Sequence, residues 1–493
     1  MIRLQVSEFG PIVKGAIDLK PLTIFVGPNN SGKSYFAVLA YALFRSLPPI
    51  YPFPHGLAWR VRRYRLYGEH YLPGLEETSA AELLDKGEAL KSLQEWLRAR
   101  ADESRRGKIT VLFKDLPDKL KQSLEKILLD YTNAASMTFG EELKRCYGTV
   151  IPELTRKNAK RPFEIAISQE NPPLYIKMSH TNDNIKLIDS TFDVSDESFS
   201  VQIPPPILTR RPVTEREQFL LYELVERFFE RIYREFLVDP YYFPAARSGI
   251  LQSHKALASY VVSRSPLAGI EKLPEVPRLQ GVVADFISKL LYLEKDRPTK
   301  LYDLAAFLES QVTKGVIDIE AGKLEYPEIY YEPDSGKFPL HRTSSMVSEL
   351  APMVLFLKYL IDPGDFVIIE EPESHLHPES QRKLATGIVK LIRARVKVLI
   401  TTHSGDFVDQ LSNFIRLGQL PEERRVKEGY SSEDFLSSGE VGAFLFKFNP
   451  TAGGTLIEEL KVSPEEGIPE EEFAKVKEAL YRETVFLHRA VSR

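Results

Sequence analysis

The apolar pattern predicts an α/β sheet whose strands come from two distant parts of the chain. Residues 1–26 form strand-like runs, and 22–26 is a compact apolar run typical of a buried strand. Residues 35–44 are apolar on nearly every face, which predicts a buried helix. Far downstream, between 346 and 417, helical patterns alternate with buried-strand runs, the first at 366–369. Such alternation with short connections predicts a parallel sheet.

The interval between these parts has a different pattern and predicts an inserted domain. Residues 80–147 have helical periodicity, whereas 163–203 alternate with period two, which predicts a small antiparallel sheet. A capping-box sequence predicts a helix over 214–237, with a broad apolar face suited to core packing or to a dimer seam.

The patterns divide the chain into four segments. They are 1–46, the first part of the α/β lobe; 47–240, an inserted helical and small-sheet domain for dimerisation or partner contact; 241–417, the second part of the lobe; and 418–493, an acidic C-terminal segment forming a small α/β extension. Residues 451–490 contain nine acids and five bases.

Composition narrows the class of protein. A chain of 493 residues exceeds the roughly 250–300 residues of one hydrophobic core, so two or three lobes are expected. The net charge of −4 excludes a globally basic nucleic-acid binder but leaves room for a local basic patch. The single cysteine excludes a disulfide framework within the chain and suits a reducing compartment. There is neither a run of 18 apolar residues nor a signal-peptide core, so we expect a cytoplasmic protein that does not span a membrane.

A phosphate-binding motif lies between the first buried strand and the following helix. Gly27-Pro-Asn-Asn-Ser-Gly-Lys-Ser34 is a complete Walker A pattern, in which glycines let backbone N–H groups turn toward phosphate. Lys33 is expected to reach the β and γ phosphates and Ser34 to ligate Mg²⁺. We therefore predict ATP and Mg²⁺ as cofactors, against the alternative of an accidental glycine turn. The predicted nucleotide-binding residues here are Gly27, Asn29, Asn30, Ser31, Gly32, Lys33, Ser34 and Tyr35.

Two downstream strands end in polar residues. An apolar run ends at Glu370-Glu371, and a second ends at Thr402-His403. Strand ends of open α/β sheets face the ligand crevice. One carboxylate is suited to hold Mg²⁺ and its neighbour to activate water, whereas His403 is suited to contact the γ-phosphate. A solvated acidic turn and a structural histidine are the alternatives.

The order of motifs resembles the ABC-type ATPases of the SMC, RecF and OLD group. The carriers are Walker A, Ser344-Ser-Met-Val-Ser-Glu-Leu350, Glu370-Glu-Pro-Glu-Ser-His-Leu-His-Pro378 and Thr401-Thr-His-Ser404. The string is most similar to the ATPase module of overcoming-lysogenization-defect proteins and of the Gabija and Septu anti-phage systems. The resemblance covers about half of the chain, at 1–45 and 240–417.

The resemblance implies roles for single residues. Glu370 would hold Mg²⁺ with Ser34, Glu371 would be the catalytic base with Lys33 and His403, and Ser344 and Ser345 would reach the γ-phosphate of a second copy. Pro244-Ala-Ala-Arg247 resembles an element near the nucleotide, where Arg247 is either a pocket contact or a structural ion pair.

The chain departs from the group at two places. Met346 stands where glycine usually follows the signature serines, which puts the contact across the dimer and fast turnover in question. A Q-loop glutamine cannot be assigned with assurance; Gln252 is a candidate only by its proximity to Arg247.

Nuclease and separate metal sites are disfavoured. His375 and His377 have metal-ligand spacing but no third ligand nearby. No Asp-x-Asp pair follows His403, so a Toprim nuclease in this chain is not expected.

Three hypotheses about function follow. The first is a dimeric or higher homo-oligomeric ATPase of a defence-like or DNA-processing complex, which regulates a separate nuclease or effector subunit. The second is a slow or inactive nucleotide-sensing scaffold. The third is a RecF-like repair ATPase that binds DNA directly. DNA contact is expected through Arg60, Arg62, Arg63 and Arg65, which are interleaved with aromatic residues.

Overall fold

The computed structural model describes most of the chain. The described residues are 1–47, 92, 95–96, 108–194, 198–202, 224–225, 227–252, 279–295, 297–321, 327–469 and 471–491. The four arginines predicted to contact DNA, and residues 203–223 at the start of the predicted 214–237 helix, lie outside them. The part of the chain that is described contains no helix long and apolar enough to cross a membrane.

Strands and helices alternate through the described chain. The strands are β1 Ile2–Phe9, β2 Ile12–Leu19, β3 Leu22–Val26, β4 Lys108–Leu112, β5 Glu164–Glu170, β6 Pro173–Thr181, β7 Asn184–Phe192, β8 Ser198–Gln202, β9 Pro240–Phe243, β10 Val316–Ala321, β11 Pro327–Glu332, β12 Phe338–Pro339, β13 Phe366–Glu370, β14 Lys397–Thr401, β15 Val441–Asn449 and β16 Gly454–Leu460. The longer helices are α1 Lys33–Ser46, α2 Asp118–Tyr147, α3 Gly281–Leu291, α4 Tyr302–Leu308, α5 Ser345–Tyr359, α6 Pro378–Arg393, α7 Gly405–Leu417, α8 Glu422–Lys427 and α9 Glu471–Val491.

The chain divides into two compact units. One contains Met1–Phe9 and Ala42–Asp239, and the other contains Gly10–Tyr41 and Pro240–Arg493. The second unit carries both the Walker A loop and the polar strand ends.

The second unit is an α/β layer structure around a mixed sheet. Its strand order is β2-β16-β15-β3-β14-β13-β9, in which β15, β3, β14, β13 and β9 are mutually parallel. β16 is antiparallel to β15 and parallel to β2. β3 and β13 are buried at every position, as expected for strands covered on both faces.

Helices pack on this sheet through continuous apolar surfaces. Residues 347–359 of α5 are all buried, although the helix contains Pro352. α6 and α7 instead bury one face each, and their apolar residues join α5, β3, β13 and β14 in one core. A small antiparallel sheet of β10, β11 and β12 belongs to the same unit.

The first unit contains an antiparallel run of strands and the long helix α2. The strand order is β7-β6-β5-β1, and β4 pairs separately with β8. Phe228 and Phe236, on the described end of the predicted 214–237 helix, are buried among aromatic rings such as Phe113 and Phe44. These contacts favour core packing for that face over a dimer seam.

Two features of the fold differ from the expectation. The 80–147 interval is not wholly helical, because β4 precedes α2. The 418–493 segment, expected as a separate extension, instead contributes β15 and β16 to the main sheet, where β15 lies beside β3.

Candidate functional site

The Walker A loop wraps around its own lysine. The Lys33 Nζ donates to the carbonyl oxygens of Gly27 at 2.8 Å and Pro28 at 2.7 Å, and lies 3.5 Å from the Ser31 hydroxyl. Lys33 is 5% exposed. Burial therefore lowers the pKa of Lys33 to about 8, against the opposing attraction of the three nearby carboxylates, which raises it.

Glycine is required at the start of this loop. Gly27 has φ 138°, and a Cβ built there would lie 2.4 Å from the carbonyl oxygen of Phe446 in β15. Asn30 also has a positive φ of 59°. Asn29, Asn30 and Ser34 are exposed, whereas Tyr35 is half-buried. The predicted loop residues are thus held together at the end of β3.

Glu370 ends β13 with a carboxylate suited to a cation. The side chain is 8% exposed, and its Oε2 accepts from the Ala245 backbone N–H at 3.2 Å. Its Oε1 is buried and has no hydrogen-bond partner among the described residues. A buried carboxylate oxygen left unpaired is costly, and hard oxygen donors are the ligands of Mg²⁺. Glu370 and the Ser34 hydroxyl therefore fit the expected Mg²⁺ ligands.

Glu371 and His403 are brought together by neighbouring parallel strands. The His403 Nε2 lies 3.4 Å from the Glu371 Oε1, and the Glu371 Oε2 accepts from the Ser374 hydroxyl at 3.0 Å. Glu371 has φ 44°, a backbone conformation that is strained for a non-glycine residue. Its N–H donates to the Thr401 carbonyl at 2.9 Å, which fixes the loop against β14.

The environment of His403 favours a neutral imidazole. Burial and then the Lys33 charge lower the pKa of His403. The charges of Glu371 and Glu373 and a hydrogen bond with the Gly27 backbone oppose that change. The histidine therefore adjoins the Walker A loop and the predicted base at once.

Glu373 is a site residue to which sequence reasoning assigned no role. Its Oε1 accepts from the Thr402 hydroxyl at 2.7 Å and from the N–H groups of His403 at 2.9 Å and Ser404 at 3.2 Å. The carboxylate thus anchors the loop that carries His403. Its place within the Glu-Glu-Pro-Glu string was the available signal.

Arg247 lies under the site and holds main-chain atoms. Its guanidinium donates to the carbonyl oxygens of Pro244, Glu370 and Glu371, at 3.1, 2.6 and 3.2 Å. Its Nε lies 3.0 Å from Oε2 of Glu349, and both side chains are 1% exposed. These contacts favour the ion-pair interpretation of Arg247. The structure places Gln252, the Q-loop candidate, exposed in the helical segment that follows.

The signature serines stand at the N-terminus of α5. Ser344 caps this helix by accepting from the Val347 N–H at 3.4 Å, and both Ser344 and Ser345 are exposed. Met346 packs against the apolar core, and its Sδ accepts from the Ser380 hydroxyl at 3.9 Å. The Met346 side chain is therefore committed to the interior rather than to the exposed serines.

The two histidines with metal-ligand spacing are separated by function in the fold. His377 caps α6 through its Nδ1, which accepts from the Glu379 N–H at 3.3 Å. His375 has φ 60° and lies 3.9 Å from Glu349. Within the described ranges, no group of three or more His, Cys, Asp and Glu residues could hold a metal ion.

Part of this site matches a known family. The family described as AAA ATPase domain matches residues 271–408, which include α5, Glu370, Glu371 and His403 but not the Walker A loop. No curated protein matches the chain. The family match and the α/β sheet with its P-loop support an ATPase function and nucleotide binding.

Solved structures with overall similarity are head domains of SMC proteins. An SMC head bound to the C-terminal winged-helix domain of ScpA is 11% identical with a TM-score of 0.37, covering 93% of this chain and 97% of that one. The Smc head with an extended coiled coil bound to the C-terminal domain of ScpA, from Pyrococcus furiosus, is 11% identical with a TM-score of 0.37, covering 98% and 100%. The SMC head from Thermotoga maritima is 10% identical with a TM-score of 0.32, covering 93% and 98%.

Proposed function

We propose that this protein binds ATP with Mg²⁺ and hydrolyses it to ADP and phosphate. The observation that carries the proposal is the 3.4 Å approach of His403 to Glu371, beside the Walker A lysine whose charge acts on that histidine. A base, a γ-phosphate contact and a phosphate-binding loop in one place are the parts that phosphoryl transfer to water requires.

Each side chain has a defined task in this reaction. Lys33 leaves the carbonyl oxygens of Gly27 and Pro28 and binds the β and γ phosphates. Ser34 and Glu370 hold Mg²⁺, which neutralises phosphate charge when it is bound. Glu371 accepts the proton of the attacking water as the bond from the γ-phosphorus to the bridging oxygen breaks, and His403 positions the γ-phosphoryl group.

The test is steady-state ATP hydrolysis combined with nucleotide binding. We expect Glu371→Gln to lower kcat by about 10²–10⁴-fold while ATP still binds, because only the base is lost. Lys33→Ala is expected to remove binding as well. Glu379→Gln, which changes an exposed carboxylate at the start of α6, is the matched control. The same hydrolysis rate in wild type and Glu371→Gln would contradict the proposal.

We also propose that two copies assemble around ATP. The exposed Ser344 and Ser345 at the N-terminus of α5 support this, because their hydroxyls and helix end can accept phosphate of a second copy. ATP should convert Glu371→Gln protein from monomer to dimer in light scattering, and Ser345→Ala should weaken that conversion. A mass unchanged by ATP would exclude this assembly.

A slow scaffold is the competing version, because Met346 replaces the usual glycine. Its packing against the core favours turnover over obstruction. Met346→Gly should therefore not accelerate hydrolysis, and a large acceleration would favour the scaffold.

The defence-like role and a separate nuclease partner rest on the resemblance of the motif string. A neighbouring nuclease gene whose product copurifies with this protein would support that assignment. Neighbouring replication genes, with DNA binding lost in Arg62→Ala and Arg63→Ala, would favour the RecF-like alternative.

A further inference from the structure

Glu349 joins three segments of the candidate site. Its Oε2 lies 3.0 Å from Arg247, and its Oε1 accepts from the Ser248 N–H at 3.2 Å and the Ser248 hydroxyl at 2.7 Å. The same Oε1 lies 3.9 Å from His375 in the loop that follows β13. One carboxylate on α5 thus contacts both segments that flank the end of β13.

Glu349 also lies close to the signature serines along the helix. It follows Ser345 by one helical turn, so the two residues share a face of α5. Helical side chains lean toward the N-terminus, which carries the Glu349 carboxylate toward the serine end. A shift of that end therefore moves the carboxylate that holds Arg247.

Arg247 continues the connection to the catalytic base. Its guanidinium donates to the carbonyl oxygens of Glu370 and Glu371. Glu371 has a strained positive φ of 44°, and such a conformation persists only when surrounding contacts hold it. The Arg247 contact to the Glu371 carbonyl, with the Thr401 contact to its N–H, supplies that restraint.

The charge pair has little value for stability alone. Both Arg247 and Glu349 are 1% exposed, and the cost of desolvating two charges offsets much of their attraction. A buried charged pair that contacts catalytic main-chain atoms is better explained by positioning.

We propose that Glu349 and Arg247 are positioning residues that transmit engagement of Ser344 and Ser345 to the main chain of Glu371. In consequence, a second copy that engages the signature serines regulates the base within the same chain. This inference rests on the proposed function, because it requires hydrolysis and engagement by a second copy.

The test is a double-mutant cycle on hydrolysis. We expect Ser345→Ala and Glu349→Gln each to lower kcat by about tenfold or more, with the KM for ATP changed by less than about threefold. If the signal passes through Glu349, adding Ser345→Ala to Glu349→Gln causes no further loss. Effects that multiply in the double variant would overturn the inference, since a purely structural role predicts independence.

Glu309→Gln is the matched control for removing a buried charge. Glu309 pairs with Lys358 at 2.7 Å in the same unit, and the two side chains are 9% and 2% exposed. Its effect should multiply with that of Ser345→Ala. Thermal unfolding and ATP binding of each variant separate loss of fold from loss of turnover.

A milder variant covers poor folding of Glu349→Gln. Ser248→Ala removes only the hydroxyl that donates to Glu349 and leaves the ion pair. It should lower kcat by a smaller factor and show the same lack of additivity with Ser345→Ala. Wild-type protein without hydrolysis would overturn the proposed function, whereas active wild type with multiplicative effects would overturn this link alone.

Discussion

The Nε2 of His403 lies 3.4 Å from the Oε1 of Glu371. A protonated His403 would pair with this carboxylate and compete with water for it. Burial lowers the pKa of His403, which leaves the imidazole neutral and the carboxylate available as a base at neutral pH.

Acidification should therefore reduce both stability and turnover. Below the ordinary pKa of 6.5 the unfolded imidazole takes up a proton that folded His403 resists, so the free energy of unfolding falls with pH. Turnover should fall at lower pH, as folded His403 protonates. Denaturant unfolding from pH ~8 to ~5 should be less pH-dependent in His403→Gln than in wild type. The exposed His341→Gln is the control, and equal slopes in all three proteins would contradict the prediction.

Lys33 should make ATP binding depend on pH in the alkaline range. Its pKa is lowered from 10.5 to about 8, so between these values the unfolded lysine is charged while the folded one loses its proton. The free energy of unfolding consequently declines as pH falls through this window. Bound phosphates favour the charged lysine, so ATP affinity should fall as pH rises above about 8, by at most about tenfold per pH unit.

Calorimetric titrations in buffers of different ionisation enthalpy measure the accompanying proton uptake. Lys33→Arg is the matched variant, because its guanidinium keeps its charge throughout this range. Proton uptake of the same size in Lys33→Arg would assign the effect to another group.

Gly27→Ala should destabilise the protein more than Gly364→Ala. Both glycines have positive φ, 138° and 100°, so alanine is strained at either position. Only at Gly27 would the new Cβ meet a backbone atom, the Phe446 carbonyl oxygen at 2.4 Å. We expect about 1–3 kcal/mol of strain at each position, a further loss at Gly27, and loss of ATP binding there alone. Equal shifts in thermal midpoint would show that β15 yields without cost.

Glu373 should be needed for stability of the His403 loop. Glu373→Ala leaves the Thr402 hydroxyl and the N–H groups of His403 and Ser404 without their acceptor. The free energy of unfolding should fall by about 1–3 kcal/mol, with reduced hydrolysis. Glu373→Gln keeps an acceptor oxygen and should lose less. Chemical unfolding and turnover of the two variants provide the comparison, and greater harm from glutamine would contradict the proposed hydrogen bonds.

Local patterns were sufficient to predict the parallel strands and the Walker A loop. Both β3 and β13 are short, wholly apolar runs, and α6 begins and ends at the predicted residues 378 and 393. Their signals are contained within a few residues, so no knowledge of distant partners was needed.

Strand order and buried polar contacts required the three-dimensional structure. Nothing in the sequence of β15 specifies that it pairs with β3, because such pairing depends on contacts across more than half of the chain. Likewise, Arg247 resembles any arginine near a nucleotide until its donors are seen to bind main-chain carbonyl oxygens. Glu373 had a visible motif but no visible acceptor role.

The position of β3 between β14 and β15 has a consequence for biosynthesis. The Walker A strand emerges early from the ribosome, but its two neighbours are translated only at residues 397–401 and 441–449. Until then its edges have no native partner in the sheet, and the carbonyl oxygen of Phe446 that adjoins Gly27 does not yet exist. Nucleotide binding is thus reserved for a nearly finished polypeptide, and a nascent chain must keep its first apolar strands from pairing wrongly for most of its synthesis.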